Sequence, residues 1–444
     1  MSKHPLVAIS ATVSLLLAAQ AAAQNQTWYV SAARGKGKQG TVSQPAKDLG
    51  SIASRVQAGD TICIAAGTYL GRGESGADKL EVPCRILGGW NDDFSARDPW
   101  GASRTIFSGD NRAKNFSGEA RLAIHAQGGS AGSAVVVDGI IIDNGARNHY
   151  AHDAGKLIRR IADPNTGAHA TPDTQGIHVI LPNGGTCVVR DCIVMNTAPS
   201  GLTGAIHVHA GEDCRTEISN NLVVNNTGTG IQMTYGGAAK EGKSLPSFAV
   251  SANTVLFCWL FEPSASHGGS AMKMDGGARV TARGNAFAFC DQYAVDNARR
   301  SAELVLQDNL LGACALAAYL EFGTRIALDA MEDEAECLGA ETGGNVAESV
   351  QLALEPQWAA SYAARRIVDR AKAEAGATVE NSVENQLRAM FGMNLVGSSV
   401  DLSSEVWLHR MQLEAALACG QRRLAGKYGC EAPAAEPVGA RPNR

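Results

Sequence analysis

A chain of 444 residues with a net charge of −5 and 19% charged side chains carries no basic excess, which excludes a nucleic-acid footprint. Its 49 glycines and 5% aromatics argue against one large aromatic core and for many tight turns between small packed layers. The 11 cysteines suit an oxidising compartment, and their odd number leaves at least one thiol unpaired.

Residues 1–23 read as a signal peptide. Lys3 and His4 precede an apolar run from Leu6 to Ala19, and Ala21, Ala22 and Ala23 supply a small-residue cleavage site. The run is shorter than the roughly 20 residues that span a bilayer, and no later stretch is apolar for long enough. The mature protein is therefore expected to be periplasmic or secreted, with no membrane span after signal removal. Residues 24–120 are expected to form an N-terminal cap and the first rungs of a stack. Within them Asp48 can N-cap a short helix that buries Leu49, Ile52 and Val56, and Gly59 can end it. Such a helix would shield the open end of stacked sheets.

Residues 121–344 carry a repeat: VVVDGIIIDN, CVVRDCIVMN, EISNNLVVNN, AVSANTVLFC, TARGNAFAFC and LVLQDNLLGAC. Aligned on the turn residue, the copies give a column of Gly139, Asp191, Asn221, Asn253, Asn285 and Asn309, residue types that tolerate left-handed backbone. Five positions on stand Asn144, Asn196, Asn226, Cys258, Cys290 and Cys314. The spacing between copies varies, as in a coil with inserted loops. Cys258, Cys290 and Cys314 are expected to point inward as a small apolar ladder.

A second strand family alternates apolar and polar residues: LAIHA, GIHVI, AIHVH, GIQMTY, AMKMD, YAVDN and AYLEF. Period two means one buried face and one wet face. With Ile124, Ile177, Ile206, Ile231, Met272, Val295 and Leu320 inward, the outward column is His125, His178, His207, Gln232, Lys273, Asp296 and Glu321. His209, Thr234 and Asp275 form a second outward column.

From about Trp28 to Gly339 the chain thus resembles the secreted right-handed parallel β-helix proteins of the pectin-lyase-like type. The opening WYVSAARGKGKQGT through DLGSIASRVQAGDTICIAAGTY is similar to the entry segment of that group. The resemblance implies an all-β solenoid with an N-terminal capping helix. It does not choose an activity, because the superfamily includes lyases, hydrolases, epimerases and proteins without catalysis.

Residues 345–430 change to helical spacing rich in Ala, Leu, Glu, Arg and Gln, and predict a helical C-terminal cap or docking domain on the last rungs. Residues 431–444, rich in Pro and Ala, predict a disordered tail.

Stacked about 4.8 Å apart, the outward residues would form a polar stripe suited to an acidic polysaccharide. Lys273, His207 and Asp275 are the candidate catalytic residues. A β-eliminating lyase or an epimerase needs a base for the proton beside a uronate carboxyl and a cation for the developing charge. Polysaccharide lyases of the resembled group use lysine or arginine in this way with carboxylate-held calcium. That implies Ca2+ at Asp275, Asp296 and Glu321. His178, His209, Gln232, Asp296, Glu321, Arg279 and Arg299 are candidate substrate-binding residues, with Arg283 near them in sequence. A rival reading gives His178, His207 and His209 to zinc or copper. A third makes the protein a non-catalytic envelope protein that binds glycan, or a protein partner through the C-terminal helices. The segments 147–174 and 235–246 would wall the groove, and Cys63 with Cys84 and Cys419 with Cys430 are the first candidates for disulfides.

Overall fold

The computed structural model describes residues 25–71, 76–108, 120–126, 134–146, 161–162, 169–170, 175–197, 203–237, 244–259, 268–297, 299, 301, 303–331, 333, 340–347, 383–390, 392, 394–395, 411–420 and 427–437. The signal peptide lies outside them, as does most of the segment 147–174 apart from an antiparallel pair, Ile161–Ala162 with His169–Ala170.

Each copy of the repeat supplies two strands separated by a tight turn, and each alternating segment supplies a third, so the chain coils into a parallel β-helix with three faces. The first sheet stacks Thr27–Val30, Thr61–Ala65, Arg85–Trp90, Ala134–Asp138, Thr186–Arg190, Arg215–Ser219, Ser247–Ser251, Arg279–Arg283, Glu303–Gln307 and Ala340–Gly343 in parallel. The second runs from Gly67–Leu70 through Thr105–Ser108, Ile140–Asp143, Ile193–Met195, Leu222–Thr227, Thr254–Trp259 and Ala286–Ala288 to Leu310–Gly312. The third runs from Asp78–Leu80 through Leu122–His125, Ile177–Ile180, Gly204–Ala210, Thr229–Tyr235, Ser270–Asp275 and Tyr293–Asn297 to Ala317–Glu321. There the antiparallel strand Thr324–Ile326 closes its edge. One continuous apolar core fills the coil, from Trp28 and Ile52 to Ile326 and Met331.

The turn between the first and second sheets corrects the repeat alignment by one residue. Pairing runs Ile141 to Ile193 to Leu222 to Thr254 to Ala286 to Leu310. The left-handed residues are therefore Gly139, Asp191, Asn220, Ala252, Gly284 and Asp308, while Asn221, Asn253, Asn285 and Asn309 each follow one. These asparagines form a buried ladder. Asn253 Oδ1 accepts from Asn221 N (3.0 Å) and Nδ2 (2.9 Å), and its own Nδ2 donates to Ile218 O (2.8 Å) and Asn285 Oδ1 (3.0 Å). The unit repeats at Asn285, Asn309 and Asn345, satisfying backbone groups that the corner would otherwise orphan. At the next corner the same slip applies, with left-handed Asn196, Asn225, Phe257 and Phe289 preceding Thr197, Asn226, Cys258 and Cys290.

Asp48 does N-cap, accepting from Ser51 N at 2.8 Å, but the cap is two 3₁₀ turns, Leu49–Ser51 and Ala53–Arg55, rather than a longer helix. Leu49, Ile52 and Val56 are buried as the spacing required.

The C-terminal region differs most from expectation. Its described parts include the helices Val383–Met390 and Leu413–Gly420. The stretch from Met411 onward docks along the flank of the coil, over the outer face of the second sheet, and not on the last rungs alone. Asn196 Nδ2 donates to Met411 O (2.9 Å) and its Oδ1 accepts from Met411 N (2.8 Å). Cys430 N donates to Thr254 Oγ1 (2.9 Å), and Glu431 N to Asn220 Oδ1 (2.7 Å). Residues 431–437, expected to be disordered, continue this strap, and Glu436–Pro437 pairs antiparallel with Ala96–Arg97. Apolar Leu417 and Tyr428 on the strap, facing Phe257, Trp259 and Phe289 on the sheet, explain why it stays down.

The ten described cysteines are all free thiols, Cys63, Cys84, Cys419 and Cys430 among them, which corrects both disulfide assignments. Cys63 packs outside the first sheet with Ala65 and Phe94, whereas Cys84 lies in the main core, so the two thiols occupy opposite sides of the sheet. Among the described residues no helix is long and apolar enough to cross a membrane.

Candidate functional site on the third sheet

Backbone pairing sets His178 beside His207, His207 beside Gln232, Gln232 beside Lys273 and Lys273 beside Asp296. These side chains make one row on the outer face, opposite the inward Ile177, Ile206, Ile231, Met272 and Val295. Two residues along each strand runs a second row: His125, Ile180, His209, Thr234 and Asp275. His125 therefore belongs to the second row and not, as the repeat suggested, to the first.

Glu321 leaves the expected stripe. It pairs with Asn297, and Leu320 takes the place beside Asp296, because Tyr319 rather than Leu320 fills the interior next to Val295. Glu321 is buried and accepts from the Tyr319 hydroxyl, which in turn accepts from Asn297 Nδ2 at 2.8 Å. Arg279 is also elsewhere: it stands on the outer face of the first sheet, its Nε 3.2 Å from Glu303 Oε1, with Arg283 on the same strand. Arg299 does reach the site. Its Nε lies 3.0 Å from Asp275 Oδ1, and its side chain is 72% exposed at the rim.

The row is recessed, not an open solvated groove. Gln232 is 1% exposed, Asp296 2%, Lys273 5% and His207 8%, whereas His178, His209, Thr234 and Asp275 are half-buried. Burial sets the electrostatics. The His178 imidazole, stacked on that of His207 with centroids 4.7 Å apart, has its pKa pushed down to about 4 by burial and then by the neighbouring His125 and His209. Burial drives His207 well below the ordinary histidine value, and His178, His209 and the Lys273 charge press the same way. Both rings are neutral at neutral pH. His207 Nε2 is 2.9 Å from Thr234 Oγ1, and its buried Nδ1 has no hydrogen-bond partner. A tautomer with the proton on Nε2 leaves a lone pair on Nδ1, which is what a general base requires.

Among the described residues no group of three or more His, Cys, Asp or Glu side chains is placed to hold a metal ion. The imidazoles of His178 and His207 stack face to face instead of converging their nitrogens, and Glu321 is withdrawn from Asp275 and Asp296. The side chains present fit neither the calcium set nor the three-histidine set.

Sequence reasoning missed Thr229 and Ser270. The small residues Ala205 and Ala271 turn into the core at the corner, immediately before the inward Ile206 and Met272, so strict alternation fails there. The residue before the corner is left on the outer side. At Gly204 an added Cβ would stand 2.9 Å from Gln232 Cβ, and pairing places Thr229 and then Ser270 in the same column. The signal was a small residue at the start of each alternating segment.

No protein-family model matches the chain, and no curated protein matches it in sequence. Among solved structures the chain is similar to one described as "Crystal structure of pectate lyase Pel9A", with 9% identity, 73% of this chain and 78% of that chain covered, and a TM-score of 0.39.

Proposed function

We propose that this is an exported, polysaccharide-active β-helix protein that acts on an acidic glycan by lyase or epimerase chemistry, with the recessed row of the third sheet as its site. The observation that carries the reading is a buried cation, Lys273, in register with a neutral, buried His207 whose Nδ1 is unpartnered. A polar row kept only for solubility would be exposed and would not hold a lysine at 5% accessibility.

In this reading the uronate carboxylate sits against the Lys273 ammonium. His207 Nδ1 removes the proton from the carbon next to that carboxylate, and Lys273 opposes the charge that spreads onto the carboxylate as the bond breaks. In a lyase the electron pair then expels the glycosidic oxygen and leaves a carbon–carbon double bond. In an epimerase a proton returns to the same carbon from the opposite face. Arg299 and Asp275 form the rim, with His178 and His209 beside the entrance.

Incubating the purified protein with pectate, alginate and glycosaminoglycans, and following both unsaturated-product absorbance and solvent deuterium incorporation at the uronate carbon, tests the reading. Turnover that falls by a factor of about 100 or more in Lys273→Ala supports it; absence of elimination and exchange on every acidic glycan overturns it. The depth of the row favours one second reading, retention of a glycan without turnover, which the same experiment selects if the polymer binds and no product forms.

A further inference from the structure

Four phenylalanines among the described residues have a left-handed backbone: Phe94, Phe257, Phe289 and Phe322. That conformation is strained for a bulky side chain. Phe94, Phe257 and Phe289 bury their rings, at 6%, 0% and 1% exposure, and their packing offsets the strain. Phe322 is 63% exposed, the most exposed large apolar side chain among the described residues. It opens the two-residue turn of Phe322 and Gly323, left-handed at φ 47° and 81°, between Glu321 and its antiparallel partner Thr324. Such a turn prefers Asn followed by Gly, so phenylalanine here is neither what the turn favours nor what the core requires. An aromatic side chain held strained and exposed points to a ligand with an apolar face.

Register fixes where the ring stands. Lys273, Asp296 and Leu320 form one column across three rungs. Two residues past Lys273 the second row is reached at Asp275, and two residues past Leu320 is Phe322. Arg299 leaves the sheet at the same corner one rung earlier: it comes two residues after Asn297, which ends its strand and pairs with Glu321, the residue before Phe322. The Arg299 side chain, 72% exposed, turns back to Asp275 Oδ1 at 3.0 Å. We propose that Phe322 is a platform on which one sugar ring of the acidic glycan stacks, at the end of the row beyond Lys273 and one rung past Arg299. A pyranose ring carries C–H groups on one face. Stacking takes that face and the phenyl face out of water together and leaves the hydroxyls and the carboxylate at the ring edge, accessible to a cation. Rungs about 4.8 Å apart put the platform two rungs, about 10 Å, from the Lys273 strand, so it serves a neighbouring unit of a polymer and not the unit at Lys273. This inference rests on the row being a glycan site but not on its being catalytic.

The test is calorimetric titration of the full chain with hexamers of galacturonate, mannuronate and glucuronate, using wild type, Phe322→Ala, Phe322→Asn and Phe322→Tyr. At least one hexamer is expected to bind wild type. Phe322→Ala and Phe322→Asn are expected to weaken it about tenfold, the effect of losing one stacked aromatic face, while Phe322→Tyr keeps wild-type affinity. Phe322→Asn is also expected to raise the denaturant midpoint, because Asn suits the left-handed turn. A lower midpoint in Phe322→Asn overturns the inference, since the ring would then serve the fold. It is equally overturned if Phe322→Ala and Phe322→Asn bind the hexamer within about twofold of wild type. Sedimentation that shows wild type self-associating and Phe322→Asn monomeric gives the ring to a second copy of the chain and also overturns it. Turnover of a hexamer with unaffected variants would sink the platform alone. Weakened binding in the variants without any turnover would sink the catalytic reading alone, and a wild type that binds no hexamer sinks both.

Discussion

The imidazole of His207 lies flat against that of His178, ring planes within 9° of parallel and centroids 4.7 Å apart. Such a stack tolerates two neutral rings and resists a charge on either. The consequence for stability has a definite sign. Above pH 6.5 both rings are neutral in the folded and unfolded chains and contribute nothing. As pH falls below 6.5 the unfolded chain takes up protons that the folded chain refuses until about pH 4 at His178, and that His207, held well below the ordinary histidine value, refuses likewise. Stability is therefore lost between pH 6.5 and 4, by up to about 1.4 kcal/mol per pH unit for each ring. Denaturant unfolding at a series of pH values is expected to show a shallower slope in this window for His207→Gln than for wild type. Equal slopes would mean that His207 is already protonated in the folded protein.

The asparagine ladder yields a test that does not involve the site. Asn253→Ala strips the Asn221 N–H and the Ile218 carbonyl of their side-chain partners in a fully buried corner. The expected loss is on the order of 3 kcal/mol, read as a lower denaturant midpoint at unchanged slope. Asn253→Asp keeps the acceptor for Asn221 but turns a charged oxygen toward Ile218 O and Asn285 Oδ1. Its folded-state carboxyl would titrate high, so this variant should recover stability as pH falls, the reverse of the histidine effect.

How much of this was legible beforehand can be judged residue by residue. The alternation of His207, Gln232 and Lys273 with Ile206, Ile231 and Met272 was sufficient, because a period of two leaves only one side for each residue and stacking aligns the copies. The asparagines were visible as a column, but not that they are buried ladder residues placed after a left-handed one, since Asn suits both roles. Glu321 was misplaced because AYLEF offers two apolar residues, Tyr319 and Leu320, and only packing against Val295 decides which enters. Arg279 was grouped with Lys273 by sequence proximity, whereas a coil puts neighbours in sequence on different faces. The burial of the row had no sequence signal at all.

The thiols give a third prediction. Burial holds the thiols of Cys290, fully buried, and Cys314, half-buried at the next corner, well above their ordinary range. Thiolate is the reactive form, so these cysteines should resist a disulfide reagent at pH 8 in the native state. In denaturant at least ten thiols per chain should titrate. A count of seven, four short of the 11 cysteines, would reinstate both disulfides.

The strap along the second sheet gives the last. Asn196 has φ 57°, so Asn196→Gly keeps the backbone comfortable while deleting the amide that clasps Met411 through both its donor and its acceptor. The same amide also donates to Asp143 Oδ1 and accepts from Asn225 Nδ2 at 2.8 Å, so its loss reaches the turns on both sides. A destabilisation of about 2–3 kcal/mol is expected. Truncation after residue 410 removes the whole strap and uncovers Phe257, Trp259 and Phe289, which are now fully buried. Uncovering three large aromatics costs more than one clasp, on the order of 5 kcal/mol, and creates an apolar patch that binds a hydrophobic dye. If the truncated chain unfolds at the wild-type denaturant midpoint and binds no dye, the strap is not part of the fold.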